Sequence, residues 1–166
     1  MDLPSDQDQS NRINQLIDTL KLEKHPEGGY YSETYRSNKK TANNEGVLMT
    51  SIYFLLTSEN VSNFHMISND ELWFHHEGSP ISIHTLENGM HKEHILGKVY
   101  NDVCRPQYLV KGKTIFGSSV LTPNSYTLVS CVVSPGFEFK DFELFSYEQL
   151  IKQFPKEEDI IKRLTA

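Results

Sequence analysis

The side chains best suited to chemistry crowd into one stretch, Phe64-His65-Met66-Ile67-Ser68-Asn69-Asp70-Glu71-Leu72-Trp73-Phe74-His75-His76-Glu77-Gly78. Read as a strand, residues 71–76 alternate faces, so Glu71, Trp73 and His75 share one face and Leu72, Phe74 and His76 the other. A carboxyl walled by an indole inside a barrel holds its proton tightly unless a cation pairs with it, which is how acid–base groups are tuned. On an open sheet face the same Glu is merely solvated. His65 precedes Ser68-Asn69-Asp70, and a tight turn there brings it back beside Glu71 within one hairpin. Such a pair can act as a general acid and base, as part of a metal site, or as a buried hydrogen bond. A metal centre wants at least a third ligand. The other imidazoles are His25, His75, His76, His84, His91 and His94, so nothing beyond residue 94 supplies one.

A second polar cluster follows the turn His25-Pro26-Glu27-Gly28-Gly29, where Pro and two glycines break helical geometry. In the strand after it, period two places Tyr31, Glu33 and Tyr35 on one face and Tyr30, Thr34 and Arg36 on the other. The planar fork of Arg36 suits a ligand carboxylate or phosphate, although a structural pair with Glu33 or Asp141 is the commoner use of such a residue. Between Ser134 and Leu144, Phe137 and Phe139 keep a strand phase that Phe142 breaks, which predicts a turn near Lys140.

These clusters need a scaffold. Asn11 to Lys24 carries a helical stripe of Ile13, Leu16, Ile17 and Leu20 after a polar, disordered lead of about ten residues. Short β segments run from Tyr30 to about Phe145: 30–37, 47–57, 72–76, 81–86, 115–121 and 126–133. Asn43 to Gly46 is a loop tip. Ser146-Tyr147-Glu148-Gln149 is a capping box that opens the closing helices, residues 146–166. Many short strands with no helices between them specify an all-β sandwich or barrel. One domain fits the 166 residues. A net charge of -6 disfavours nucleic acid and anionic lipid as partners. The acidic start is unlike a signal peptide, and no apolar run is long enough for a membrane span, so a cytoplasmic location is expected. Cys104 and Cys131 are isolated and read as reduced, buried thiols.

Taken in order, His25-Pro26-Glu27-Gly28-Gly29, Glu33-Thr34-Tyr35-Arg36-Ser37, Ser51-Ile52-Tyr53-Phe54-Leu55-Leu56, the 64–78 block and Ser134-Pro135-Gly136-Phe137-Glu138-Phe139 resemble an uncharacterised family of the cupin superfamily. The resemblance covers residues 13–164. It implies a double-stranded β-helix, a jelly-roll barrel over residues 30–145 that in this superfamily is often a homodimer. His65, Glu71 and Gly78 match the first cupin motif, but Ile67 stands where a second His is usual. Residues 110–117 put apolar side chains where the second motif expects its His. Two missing ligands argue against a tightly bound metal, and no cofactor is expected. The resemblance implies a pocket lined by Tyr53, His65, Glu71, Trp73 and Gln107 with Tyr35 and Arg36 nearby, and Ser51 and His75 are further candidate ligand contacts.

The leading functional reading is a small-molecule site inside the barrel. Trp73 and Tyr53 form its walls, and His65, Glu71 and Gln107 orient the ligand. By analogy with nucleotide-sugar epimerases on related jelly rolls, an alternative is a metal-independent sugar epimerase or isomerase. There His65 is the general base, backed by Glu71, and Tyr53 or Tyr35 is the acid. A further alternative keeps a metal on unusual ligands such as His65, Glu71 and His75, for oxygenase or hydrolase chemistry. A non-catalytic interaction or storage role is the last.

Overall fold

The computed structural model describes residues 6–43 and 45–165. Residues 1–5 of the expected disordered lead and Asn44 of the loop tip lie outside the described residues. Helix α1 runs Asp6–Leu20, so it starts five residues earlier than the stripe alone suggests. It also ends four residues sooner. Lys21 takes a left-handed φ of 55° and Leu22 N–H returns to the Ile17 carbonyl at 2.9 Å, a Schellman-type stop. Leu16 and Leu22 then pack with Leu55, Tyr126 and Leu128 on the outside of the barrel.

Two antiparallel sheets form the barrel. The first contains β1 (Glu23–Lys24), β2 (Tyr30–Arg36), β3 (Thr50–Thr57), β5 (Asp70–Gly78), β8 (Gln107–Val110) and β10 (Tyr126–Ser134), in the order β1-β2-β3-β10-β5-β8. The second contains β4 (Val61–Ile67), β6 (Ile81–Glu87), β7 (Met90–Leu96), β9 (Ile115–Val120) and β11 (Phe142–Leu144), in the order β11-β4-β9-β6-β7. This is the all-β jelly roll, with helices only at the ends. Inward side chains such as Phe54, Leu56, Trp73, Ile83, Phe116 and Val129 fill the interior. Helices α2 (Tyr147–Gln153) and α3 (Glu158–Arg163) pack Leu150, Phe154, Ile161 and Leu164 against Phe64 and Leu86 on the outside of the second sheet. The capping box at Ser146 and Gln149 forms as the sequence predicts. Both cysteines are free and buried. Among the described residues no helix is long and apolar enough to cross a membrane.

The expected hairpin between His65 and Glu71 does not exist. Strand β4 pairs with β9 and β11, whereas β5 pairs with β10 and β8. The Ser68-Asn69 segment crosses from one sheet to the other, so His65 and Glu71 meet across the interior rather than along a ladder. Three interruptions of register decide which side chains point inward. On β4 the pairing jumps from Ser62↔Ser118 to His65↔Phe116, which lets both Ser62 and His65 face the interior despite a spacing of three. Opposite this bulge sits Gly117, where an added Cβ would lie 2.7 Å from the Ser62 carbonyl oxygen. On β2 the register shifts between Glu33 and Tyr35, so the phase flips at Thr34. On β5 a shift opposite Leu128 and Val129 leaves His76 as the extra residue.

Candidate functional site

One end of the barrel is not filled by apolar packing. A cavity of about 140 Å³ lies there, between β2, β3, β10 and β5 on one side and β4 and β11 on the other. Its walls include Tyr31, Ile52, Phe54, Trp73, Cys131 and Val133, and its polar groups include His25, Glu27, His65 and Glu71. Phe137, Phe139 and Phe142 roof it over. A 3-10 turn at Phe139–Asp141 breaks the strand phase where the sequence predicts a turn.

The His25–Gly29 turn is the piece that sequence reasoning left out of the site. Gly28 has φ +113°, and a Cβ there would sit 2.0 Å from the Val61 carbonyl oxygen, so only glycine lets the turn lie this close to β4. Asn63 N–H donates to the Glu27 carbonyl at 2.8 Å and fixes that approach. Glu27 is thereby driven into the interior, and its side chain is 8% exposed. Ser62 Oγ donates to Glu27 Oε1 at 2.8 Å, and His65 Nε2 lies 3.1 Å from Glu27 Oε2. His65 Nδ1 is 2.8 Å from the Asn63 carbonyl oxygen, which can only accept, so Nδ1 carries a hydrogen. Burial pushes His65 down to about 4, partly offset by that bond to Asn63, and the same burial pushes Glu27 up. Burial thus disfavours the charged form of both partners, and His65 Nε2 and Glu27 Oε2 form a hydrogen-bonded pair. Both nitrogens of His65 are engaged within the protein.

Glu71 is placed differently. Its polar neighbours are the Cys131 thiol and the Trp73 indole N–H, the latter close enough to favour the carboxylate but beyond hydrogen-bond distance. Burial, reinforced by the charge of Glu27, pushes Glu71 up to about 8. The Cys131 thiol is pushed up as well, by burial and then by Glu71. Glu71 is thus a carboxyl poised near neutral pH, beside the cavity, with nothing in the protein that fully satisfies it.

At the rim, Arg36 lies on the cavity side because the irregularity at Thr34 reverses the phase of β2. It pairs with Glu33 through Nε at 2.9 Å and a terminal nitrogen at 2.8 Å, and with Glu138 at 3.0 Å. Glu138 takes the place expected for Asp141. Arg36 also donates to the Phe137 carbonyl, and Phe137 N–H donates to Thr50 Oγ1 at 2.9 Å. Arg36 therefore fastens the aromatic roof to β2 and has little left for a ligand.

Of the nine residues named from the sequence, the cavity brings together Arg36, His65, Glu71 and Trp73. The other five stand elsewhere. Tyr53 follows the alternation of β3 onto the outer face and packs beneath α1. Ser51 shares that outer parity, and its carbonyl accepts from Thr34 Oγ1. Tyr35 is turned outward by the reversal at Thr34 and is 49% exposed. His75 has the inward parity of Glu71 and Trp73 but lies towards the other end of β5, where its Nε2 meets the Ser79 carbonyl at 3.2 Å. Gln107 is exposed on β8, at the sheet edge. The inward polar and roofing residues that the sequence reading did not place in the site include His25, Glu27, Ser62, Cys131 and Phe142. Of these only His25 and Glu27, an imidazole and an acid in a Pro/Gly turn, had a readable signal.

The donor set does not fit a three-ligand metal centre. Ile67 contributes hydrocarbon to the cavity, the Phe116 ring packs 4.1 Å from the His65 ring, and His65 has no free nitrogen. Among the described residues no three His, Cys, Asp or Glu side chains converge as metal ligands.

Comparison with known proteins agrees with this architecture. The family described as Cupin superfamily (DUF985) matches over residues 14–145. An uncharacterised protein of Saccharomyces cerevisiae is 32% identical over 158 residues, covering 84% of this chain and 78% of its own. The crystal structure of a Shewanella oneidensis protein superposes with TM-score 0.87 at 38% identity, over 92% of this chain and 96% of that one. A hypothetical protein from Leishmania major gives TM-score 0.85 at 37% identity, over 92% and 97%. Bacillus subtilis oxalate decarboxylase is similar in fold alone, with TM-score 0.54 at 11% identity over 85% of this chain and 36% of that one.

Proposed function

Since the chain belongs to the DUF985 family of the cupin superfamily, we propose that its barrel binds a compact small molecule and exchanges a proton with it through Glu71, as a metal-independent isomerase or epimerase does. The observation that carries this reading is Glu71 itself: a buried carboxyl held near pH 8, aromatic-walled, facing a cavity. A general acid–base group works best when its pKa lies near the working pH, and desolvation tunes Glu71 into that range. The Glu27–His65 pair stands behind it as a positioning unit. Volume limits the ligand. An apolar cavity of about 150 Å³ accommodates benzene, so about 140 Å³ admits a six-membered ring or less. Only the reacting fragment of a nucleotide sugar could enter.

Trp73 is the sole tryptophan and lines the cavity, which makes its fluorescence a direct reporter. Freshly purified protein is examined by native mass spectrometry for a retained small mass, and Trp73 fluorescence is titrated with three- to six-carbon neutral probes. A saturable change in Trp73 emission is expected. It should vanish in Val133→Phe or Ile67→Phe, each of which fills the cavity while leaving every titratable residue of the sequence in place. No saturable response, or one that persists in both folded variants, would refute the cavity as the site.

A further inference from the structure

His25 stands in the same cavity with its tautomer fixed. The Glu27 backbone N–H donates to His25 Nδ1 at 3.2 Å, so Nδ1 presents its lone pair and the hydrogen is on Nε2. Nε2 is not among the buried orphan atoms and has no hydrogen-bond partner among the described residues, so this N–H remains available to a ligand. The ring is clamped by aromatic neighbours. Tyr31, Phe54 and Phe142 meet it edge-on at 4.6, 5.9 and 6.1 Å, and Phe139 stacks at 6.4 Å. Burial lowers its basicity, which keeps the ring neutral and the donor in place across the physiological range.

The cavity has apolar walls and neutral donors without partners among the described residues, the His25 Nε2–H and the Trp73 indole N–H, and of its inner carboxyls Glu27 is held by Ser62 and His65 while Glu71 is left for a ligand. A carboxylate or phosphate ligand finds no spare cation, because Glu33 and Glu138 already occupy Arg36. A neutral oxygen acceptor suits these donors. Resting on the acid–base reading of Glu71, we propose that the cavity takes a compact carbonyl compound, an aldehyde, ketone or hydroxyketone, whose oxygen accepts from His25 Nε2–H while Glu71 removes a proton from the adjacent carbon. The C–H electron pair becomes the C=C bond of an enolate, the carbonyl π pair moves onto the oxygen facing His25, and the proton passes to a Glu71 oxygen. Return of that proton to the opposite face or to the neighbouring carbon completes an epimerisation or isomerisation, with no oxidant or reductant required. His25 is then a catalytic residue that polarises the carbonyl as a neutral imidazole.

Exchange of carbon-bound hydrogen in D2O tests this directly. Cyclopentanone, cyclohexanone and hydroxyacetone are incubated with the protein, and loss of the proton signal next to the carbonyl is followed by NMR. Wild type should exceed the buffer rate with at least one of them, and Glu71→Gln should fall to it. His25→Phe should lose two to three orders of magnitude of the protein-dependent rate relative to wild type, the usual cost of one oxyanion donor. His25→Gln, which restores an N–H donor, should recover at least tenfold over His25→Phe. In ¹⁵N-histidine spectra of the wild type, the His25 Nε2–H resonance should move with cyclohexanone and stay in place with cyclohexane. Exchange that needs Glu71 but is unchanged in His25→Phe overturns the role of His25 and leaves the acid–base reading standing. Exchange that survives Glu71→Gln overturns both. No exchange above buffer with any of the three overturns the carbonyl assignment, while the Trp73 titration judges the binding site independently.

Discussion

Replacing Glu71 by Gln removes the ionisable group while keeping its size, and the consequence for stability has a definite sign. In the folded protein Glu71 titrates near 8 against an ordinary 4.5. Between those values the folded state holds a proton that the unfolded chain has released, so raising pH through this window favours unfolding. At about 1.4 kcal/mol for each pH unit, the wild type loses up to roughly 5 kcal/mol between pH 4.5 and 8 from this one carboxyl. The Gln variant does not titrate. Its stability should match the wild type near pH 5 to within about 1 kcal/mol and exceed it by roughly 3–5 kcal/mol at pH 8.5. For a chain of this size that corresponds to about 10 °C in melting temperature. Urea unfolding at pH 5, 6.5, 7.5 and 8.5, followed by Trp73 emission, measures the difference directly. Native-state emission of the wild type should also titrate with a midpoint near 8 and that of Glu71→Gln should not. A stability difference that stays flat to within about 0.5 kcal/mol across this range, or that falls as pH rises, would show that Glu71 is not a desolvated carboxyl.

The opposite limb belongs to His65. Its folded value near 4 lies below the usual 6.5, so stability is present above 6.5 and lost as pH falls towards 4, by roughly 3 kcal/mol; His65→Asn should be less stable at pH 7 but show a shallower acid limb in urea titrations. Arg36→Ala should raise amide hydrogen exchange at residues 137–142 severalfold while lowering global stability by less than about 1 kcal/mol, because the lost pairs are partly exposed. Equal exchange in variant and wild type would show that Arg36 does not fasten the roof. Gly28→Ala forces a Cβ against the Val61 carbonyl oxygen at a positive φ and should cost at least about 2–4 kcal/mol. A melting temperature unchanged from wild type would contradict the close docking of this turn on β4.

The jelly roll was legible because its determinants are local and repeated. Short β-rich segments alternate with turn residues, the apolar stripe of α1 is periodic, and the Ser146 capping box is a four-residue signal that needs no partner from elsewhere in the chain. Local chemistry also singled out His65, Glu71 and Trp73, which the fold brings to the cavity, since an acid and an indole two residues apart share a face of any regular strand. Strand edges such as β8 and β11 were less visible, because four- and three-residue strands carry too few alternations to stand out. The bulges were not visible at all. An irregularity at Thr34 sends Arg36 rather than Tyr35 to the cavity, and another on β4 lets Ser62 and His65 share the interior. Which side of a strand a residue occupies depends on pairing with a distant partner, and period two predicts it only until the register slips.

Local pattern thus accounts for the class of fold, the net negative charge and the presence of ionisable groups around Glu71. Which of those groups meet is settled by the closed fold. Glu27 reaches His65 because Gly28 permits a contact with β4 that no other residue allows, and Tyr53 leaves the site because the parity of β3 sends it beneath α1. Neither outcome is encoded within a window of a few residues. Both follow from chain segments distant in sequence competing for the same interior volume, and that competition is resolved only when the two sheets close around it.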